Sequence, residues 1–463
     1  MSAPRGAAHA DRVEGARLGV ALAGLFVLGC PSAFGPRVPG ETTWLDVGAL
    51  AVEPSTETTY VLRGRTLAGE ARAGTVLSIT PEGVVTPLTT IASDESALVA
   101  FTAEGTLVLA ARAGQTRLLR FDPASAALEL ERSMPVAMSW PLVSPSGHFV
   151  ASGGSDPGTG APVTLLAADT LVGSAQASEA TNVSLAWLHA RDVLVALIST
   201  EQGDGTSTTR LAWWDATQIE AERFATLDGI WGSPLFDLQL ERGHVVTGWV
   251  VSPDDAYVAI ALATPAMDGS VTDPRVRLVS LETGSARELE GVGAPLAFTA
   301  DGSTLVGVRE DASAPAPSSG GLVTVDVESF ATDVLDVLRR DSPPFFVTSE
   351  GHWVLATVVD STIETVLYDL ESGEASPLGL DARFGQLVTR RGELWVVASG
   401  QLHRVPLASG MRAHVPLTFA PRSLNILPRH DRLVLDDADD RATLRFFDPE
   451  AERVTLTATL PTP

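Results

Sequence analysis

One short pattern recurs along this chain and limits what it can fold into. An apolar run is followed by Ser/Thr-Pro/Ala-Asp/Glu-Gly or a variant, and then by a second apolar run. Clear copies are FTAEGTLVLA from Phe101, VSPSGHFVAS from Val143, VSPDDAYVAIAL from Val251, FTADGSTLVGV from Phe298, VTSEGHWVLATV from Val347 and VTRRGELWVVAS from Val388. Weaker copies are VEPSTETTYVL from Val52, LHARDVLVALI from Leu188 and ILPRHDRLVL from Ile426, which makes nine windows. A second pattern follows each first one: a strand ending in Asp, a turn, another strand. Its Asp residues include Asp122, Asp169, Asp215, Asp326, Asp369 and Asp448, with Glu282 and Ala408 as substitutes. Short apolar runs bounded by turn residues are the signature of an all-β chain.

The turn glycines set the period. Gly105 to Gly147 is 42 residues, Gly302 to Gly351 is 49 and Gly351 to Gly392 is 41. Four strands in each such unit match the spacing of a β-propeller blade, a small antiparallel sheet that cannot bury its faces alone. The two turn patterns resemble the WD40-like repeat of bacterial propellers of the TolB type, over about residues 46–460. The resemblance implies one all-β propeller over residues 46–463, with seven to nine four-stranded blades and the N- and C-terminal strands side by side. It implies little about function, because propellers host binding, scaffolding and catalysis alike.

The N-terminus is built differently. Arg5, Arg12 and Arg17 precede LGVALAGLFVLG, Leu18 to Gly29, an apolar run too short to span a membrane permanently but of signal-peptide length. Val27-Leu28-Gly29-Cys30 follows, and Cys30 is the one cysteine of 463 residues. These residues resemble the lipobox of bacterial lipoproteins. The resemblance implies a signal peptide over 1–29, cleavage before Cys30, and acylation of Cys30 as the membrane anchor. Several acyl chains on one residue hold a soluble domain to a bilayer where one chain would not. Pro31 rather than Asp follows the cysteine, which points to the outer membrane. Residues 30–45, the lipidated cysteine and the Pro- and Gly-rich stretch after it, read as a flexible tether.

Charge excludes several function classes. The net charge is −25, and the chain contains no lysine; every basic side chain apart from histidine is arginine. An acidic surface repels phosphate backbones, so nucleic acid is not an expected partner. Without lysine there is no Schiff-base nucleophile and no phosphate-loop lysine. Metalloprotease, serine-hydrolase and dinucleotide motifs are absent, and no cofactor is expected. The repeat Asp residues read as turn formers that bond the backbone two residues on, not as metal ligands. Trp213, Trp214, Trp249, Trp353 and Trp395 read as packing between blades. Asp436-Asp437-Ala438-Asp439-Asp440 reads as a solvated hairpin tip.

Four consecutive units break the monotony with long links between their second and third strands: 153–162, 201–209, 264–275 and 310–321. An insertion at 227–246 lies between the second and third of them. In a blade of alternating strands all these segments emerge on one face, and per-repeat insertions on one face mark a binding face. Asp156, Asp204, Asp268 and Asp273 in the links, with Trp231 and Phe236 in the insertion, are the candidate binding residues of this rim. The expected function is a non-catalytic, lipid-anchored scaffold of the cell envelope that binds an envelope protein or component. In architecture it resembles the propeller lipoprotein of the outer-membrane barrel-assembly machine. The alternative is a lactonase-like metal hydrolase with its site in the central channel, which needs acidic or histidine side chains converging there.

Overall fold

The computed structural model describes residues 43–45, 50–63, 73–112, 114–135, 138–153, 163–176, 182–201, 207–218, 244–265, 271–310, 320–338, 346–347, 353–359, 363–380, 386–427, 429–437 and 443–461. They form nine antiparallel sheets in chain order. The first spans 51–91, the second 96–134, the third 139–176, the fourth 182–215, the fifth 245–290, the sixth 292–338, the seventh 346–377, the eighth 386–415 and the ninth 421–459. Eight have four consecutive strands in simple up-and-down order, and the fourth has three among the described residues. The inner-to-second strand turn of each sheet is one of the nine sequence windows.

Strand alternation explains how sheets become a ring. Val258, Ile260 and Leu262 of the fifth sheet join the core shared with the fourth, while the intervening Ala259 and Ala261 join the core shared with the sixth. In the second sheet, Leu107 and Leu109 face the third and Val108 and Ala110 face the first. Period-two side chains thus give each sheet two apolar faces, one for each neighbour. The chain of shared cores continues through every pair. It closes where Leu427, Val434, Leu444 and Phe446 of the ninth sheet pack on Leu50, Val61, Leu77 and Ile79 of the first. Sheets packed face to face in a closed cycle are a β-propeller. Closure is sheet against sheet: among the described residues no strand is exchanged between the first and the ninth.

The turns between inner and second strands, together with those between third and outer strands, lie on one face, called here the turn face. The loop face carries the links between second and third strands and from sheet to sheet. On the turn face neighbouring inner turns touch. Glu57, fully buried, accepts hydrogen bonds from the backbone N–H groups of Arg429 and His430 and from the His430 ring. Asp255 accepts from the N–H of His189 at 2.6 Å and of Ala190 at 3.0 Å, and Asp192 from that of Ser146 at 3.1 Å. Asp431 pairs with Arg390 and Arg391 of the preceding turn. At Gly147 the contact is by backbone, since a Cβ there would stand 2.5 Å from the Ala103 nitrogen; at Gly302 it is with the side chain of Asp254 in the preceding turn. Glu57, Asp255 and Asp431 take the left-handed conformation at φ 58°, 60° and 54°, the region that Gly105, Gly147 and Gly302 supply elsewhere. Their side chains give back in turn-to-turn bonds what that backbone costs.

One strand lies outside the repeat. Thr43–Trp44 pairs antiparallel with the inner strand Ser96–Thr102 of the second sheet, on the edge that faces the channel, and Leu45 is buried with its N–H on the Ala97 carbonyl at 3.0 Å. The paired chain therefore begins inside the stretch read as a tether, because the open edge of Ser96–Thr102 offers it a ladder. Cys30 and the remainder of that stretch lie outside the described residues.

Candidate binding face

The repeat aspartates build the outer turns. Asp122 Oδ1 accepts from the Ser125 N–H and hydroxyl, both at 2.6 Å; Asp326 accepts from the Ser329 N–H at 2.7 Å; Asp448 accepts from the N–H groups of Glu450 and Ala451 at 2.9 Å. Asp169, Asp215 and Asp369 make the same local bonds. The Ser125 and Ser329 donors hold the Asp122 and Asp326 carboxyls below the usual range, and the Ala451 N–H does the same for Asp448. These carboxylates are committed to their own backbone.

Among the described residues the second and third strands of the fourth and fifth sheets are the longest, and their paired ends reach the loop face. Val193–Glu201 pairs with Ser207–Asp215, and Tyr257–Pro265 with Val271–Ser280, over 9, 9, 9 and 10 residues. Corresponding strands of the second sheet have 8 and 7 residues, and those of the ninth have 6 and 6. The one to four additional residues extend the paired ladder by roughly 3–13 Å beyond its length in those two sheets. The links are shorter than the sequence reading of 201–209 and 264–275, because Glu201, Ser207–Thr209, Thr264–Pro265, Val271–Thr272 and Arg275 are paired in the ladders, with Asp273 and Pro274 at a register shift. Gly153, Glu310 and Gly320 likewise belong to strands. Val245 and Val246 of the insertion begin the inner strand Val245–Val251.

Of the candidate rim residues, Asp273 is described; Asp156, Asp204, Trp231, Phe236 and Asp268 lie outside the described residues. Asp273 stands at φ 54° near the tip of the fifth-sheet hairpin, its side chain 59% exposed. It pairs with Arg275, and its carboxylate lies 3.7 Å from Nε2 of His244, which brings the end of the insertion against the long hairpin. Arg275 continues to Glu288 at 3.0 Å, and Glu288 to Arg277 at 2.9 Å. The hydrogen bond from Arg275 holds the Asp273 carboxyl below the usual range. The tip is an ordered, exposed charge network that can present carboxylate oxygens to a partner without reorganising.

A second cluster on the same face was not legible from sequence. Asp436 and Asp437, read as solvated, are buried (6% and 2% exposed). Arg422 pairs with Asp436, and Arg445 with Asp437 at 2.8 Å. The Arg445 guanidinium also lies 4.3 Å from the centre of the Phe419 ring. Burial pushes the Asp436 carboxyl up, against the pull of Arg422 and of Arg63 in the first sheet. The reading failed because these arginines arrive from other strands and make burial of the acids tolerable. The cluster sits at the loop-face end of the closing seam; nearer the turn face of the same seam, Asn425 donates to the Leu50 carbonyl at 3.0 Å.

The tryptophans pack as expected where described. Trp395 is fully buried between the eighth and ninth sheets, and Trp213 and Trp249 pack between the fourth and fifth. Trp187, not singled out in the sequence, donates from Nε1 to the Leu142 carbonyl at 3.0 Å across the seam between the third and fourth sheets.

No protein-family model matches the chain, and no curated protein matches it in sequence. Among solved structures, it is similar to Sqt1 of Saccharomyces cerevisiae at 12% identity, covering 93% of this chain and 98% of that one with a TM-score of 0.42. It is similar to the β-propeller domain of Cps50 (Swd1) from Myceliophteria thermophila at 14% identity, covering 68% and 95%, with a TM-score of 0.37. A prolyl endopeptidase matches at 13% identity with a TM-score of 0.39, over 60% of this chain and 43% of that one. The chain thus spans less than half of that endopeptidase. The propeller assignment rests on the closed cycle of sheet cores.

Proposed function

We propose that the chain is a single nine-bladed propeller that acts as a lipid-anchored, non-catalytic binding module of a bacterial cell envelope, held at the outer membrane through Cys30. Its partner is an envelope protein or component, engaged on the loop face around the fourth and fifth blades. The observation that supports this reading is the long paired ladder of the two hairpins Val193–Asp215 and Tyr257–Ser280, with the Asp273–Arg275–Glu288–Arg277 network ending at the exposed Asp273 on the second. A rigid element that presents ordered charges is suited to selecting a partner by complementarity.

The test is in-cell cross-linking followed by purification in detergent and mass spectrometry, with a variant in which 202–206 and 266–270 are each cut to Asn-Gly and Asp273, Arg275 and Glu288 are changed to Ala. The ladders up to those links stay intact in this variant. Envelope proteins recovered with the parent and lost from the variant support the reading. Recovery of the same set with both overturns the assignment of the site.

A further inference from the structure

The antiparallel register of Thr43–Trp44 fixes the direction in which the chain enters the ring. Thr43 pairs with Val99 and Trp44 with Leu98, and the Leu45 N–H meets the Ala97 carbonyl. Ser96–Thr102 runs from the loop face to the turn at 103–104, so the chain travels from the turn face toward the loop face as it passes residues 43–45. Leu50 then leads into the inner strand Ala51–Val52 of the first sheet, which runs on to the turn at 53–58, and Asn425 binds the Leu50 carbonyl. Upstream of Thr43 the chain direction points out through the turn face. Three residues, about 10 Å of extended chain, match the remaining stretch from Val99 to Thr102. The next ten, back to Cys30, reach at most about 36 Å.

A second observation concerns the same face. Among the described residues six large apolar side chains are exposed: Val84, Leu128, Val172, Val245, Val334 and Met411. Val84, Val172 and Met411 lie in the turns between third and outer strands, and Leu128 opens the outer strand directly after such a turn. Four of the six are therefore at the rim of the turn face, and Met411 is 74% exposed. Single exposed apolar residues are ordinary, but their concentration on the face toward which the N-terminal segment points is not required by the repeat.

We infer that the turn face is the membrane-facing surface of this protein: the N-terminal segment leaves the channel on that side, and Val84, Leu128, Val172 and Met411 meet the lipid surface. The long hairpins of the loop face then point away from the bilayer, toward a partner. This rests on the anchor at Cys30 proposed above.

The lysine-free sequence supplies the test, because any introduced lysine is the one side-chain amine. Thr283→Lys and Glu371→Lys place an amine-reactive dye on the turn face; Asp94→Lys and Glu290→Lys place it on the loop face. All four positions are exposed. The full-length protein is purified from cells, the acyl mass on Cys30 is checked by mass spectrometry, and the protein is reconstituted into phosphatidylethanolamine–phosphatidylglycerol vesicles carrying a headgroup acceptor dye. The two faces differ by at least the length of a seven-residue strand, about 23 Å, so energy transfer is expected to be several-fold more efficient from the turn-face dyes. Equal transfer, or stronger transfer from the loop-face dyes, overturns the inference while the anchor reading stands. If Cys30 carries no acyl mass, the anchor reading fails, and the same variants joined at Cys30 to a maleimide lipid read the geometry alone. The N-terminal amine is common to all four and drops out of that comparison. Stronger turn-face transfer there supports the exit direction, and the opposite ranking overturns it.

Discussion

Glu57→Gly probes how the ring is held shut. Each seam between consecutive sheets is bridged by the chain itself, whereas among the described residues the seam between the ninth sheet and the first is held by packing, hydrogen bonds and the pairing of Glu57 with His430. Glu57 is fully buried at that seam and accepts from two backbone N–H groups and one imidazole. A hydrogen bond to a charged group contributes about 1.5–3 kcal/mol, and the Arg429 and His430 N–H groups belong to exposed residues that water can reach once the acceptor is gone, so the net loss is about 1.5–3 kcal/mol. Glycine offsets part of this. Glu57 stands at φ 58°, a conformation that costs an L-residue about 1 kcal/mol and glycine little. The turn accepts glycine, as Gly147 and Gly302 show in the corresponding turns. The expected net destabilisation is about 0.5–2 kcal/mol. Urea unfolding followed by tryptophan fluorescence measures it, and hydrogen exchange read by mass spectrometry locates it. Exchange should rise in 51–91 and 421–459. In the companion Asp255→Gly, which removes the same kind of bond at an internal seam, it should rise around 182–290. A Glu57→Gly protein as stable as the parent, or more so, would refute the claim that this carboxylate latches the ring.

Further predictions follow from the same physics. Tyr60, buried between the first and second sheets with its hydroxyl 2.8 Å from that of Thr106, is pushed up to about 12 by burial. A raised folded-state value means stability is intact below pH 10 and falls between pH 10 and 12, by up to about 2.7 kcal/mol; Tyr60→Phe should remove that part of the alkaline loss in urea titrations. Arg422→Ala leaves Asp436 buried without its guanidinium, so a loss of about 3–5 kcal/mol at pH 7 is expected. The Asp436 carboxyl is already raised by burial, and raising it further makes the variant's deficit shrink as pH falls toward 4, read as a narrowing gap in thermal midpoints. Cys30→Ser should release the protein from membranes into the soluble fraction, and persistent membrane association after carbonate washing would contradict the anchor.

Much of the fold was legible because the repeat writes its turns in residue types with fixed physical duties. Glycine or an acid marks the left-handed turn position, and Asp marks the start of the outer turn. Asp122, Asp326 and Asp448 do in the structure what their turn chemistry predicts. Long-range pairing was not legible. Nothing in the sequence singles out Glu57, because its partners are 372 and 373 residues away. Asp436 and Asp437 look solvated in a run of acids because nothing local announces Arg422 and Arg445. The rim links were read too long for a related reason. Polar, Thr-rich hairpin tips such as Ser207–Thr209 carry no apolar alternation, yet their backbones pair as fully as the apolar strands behind them. Of the candidate site residues, Asp273 is placed, and it is bound into a network with Arg275 that its sequence spacing alone did not reveal.

The account stands or falls on which face meets a partner. The direct measurement is photo-cross-linking in living cells from single positions that carry a photoreactive side chain: Asp273 on the loop face, and Thr283 and Glu371 on the turn face. The account predicts a discrete protein adduct from Asp273 and none from the other two. Protein adducts from Thr283 or Glu371 with none from Asp273 would contradict it.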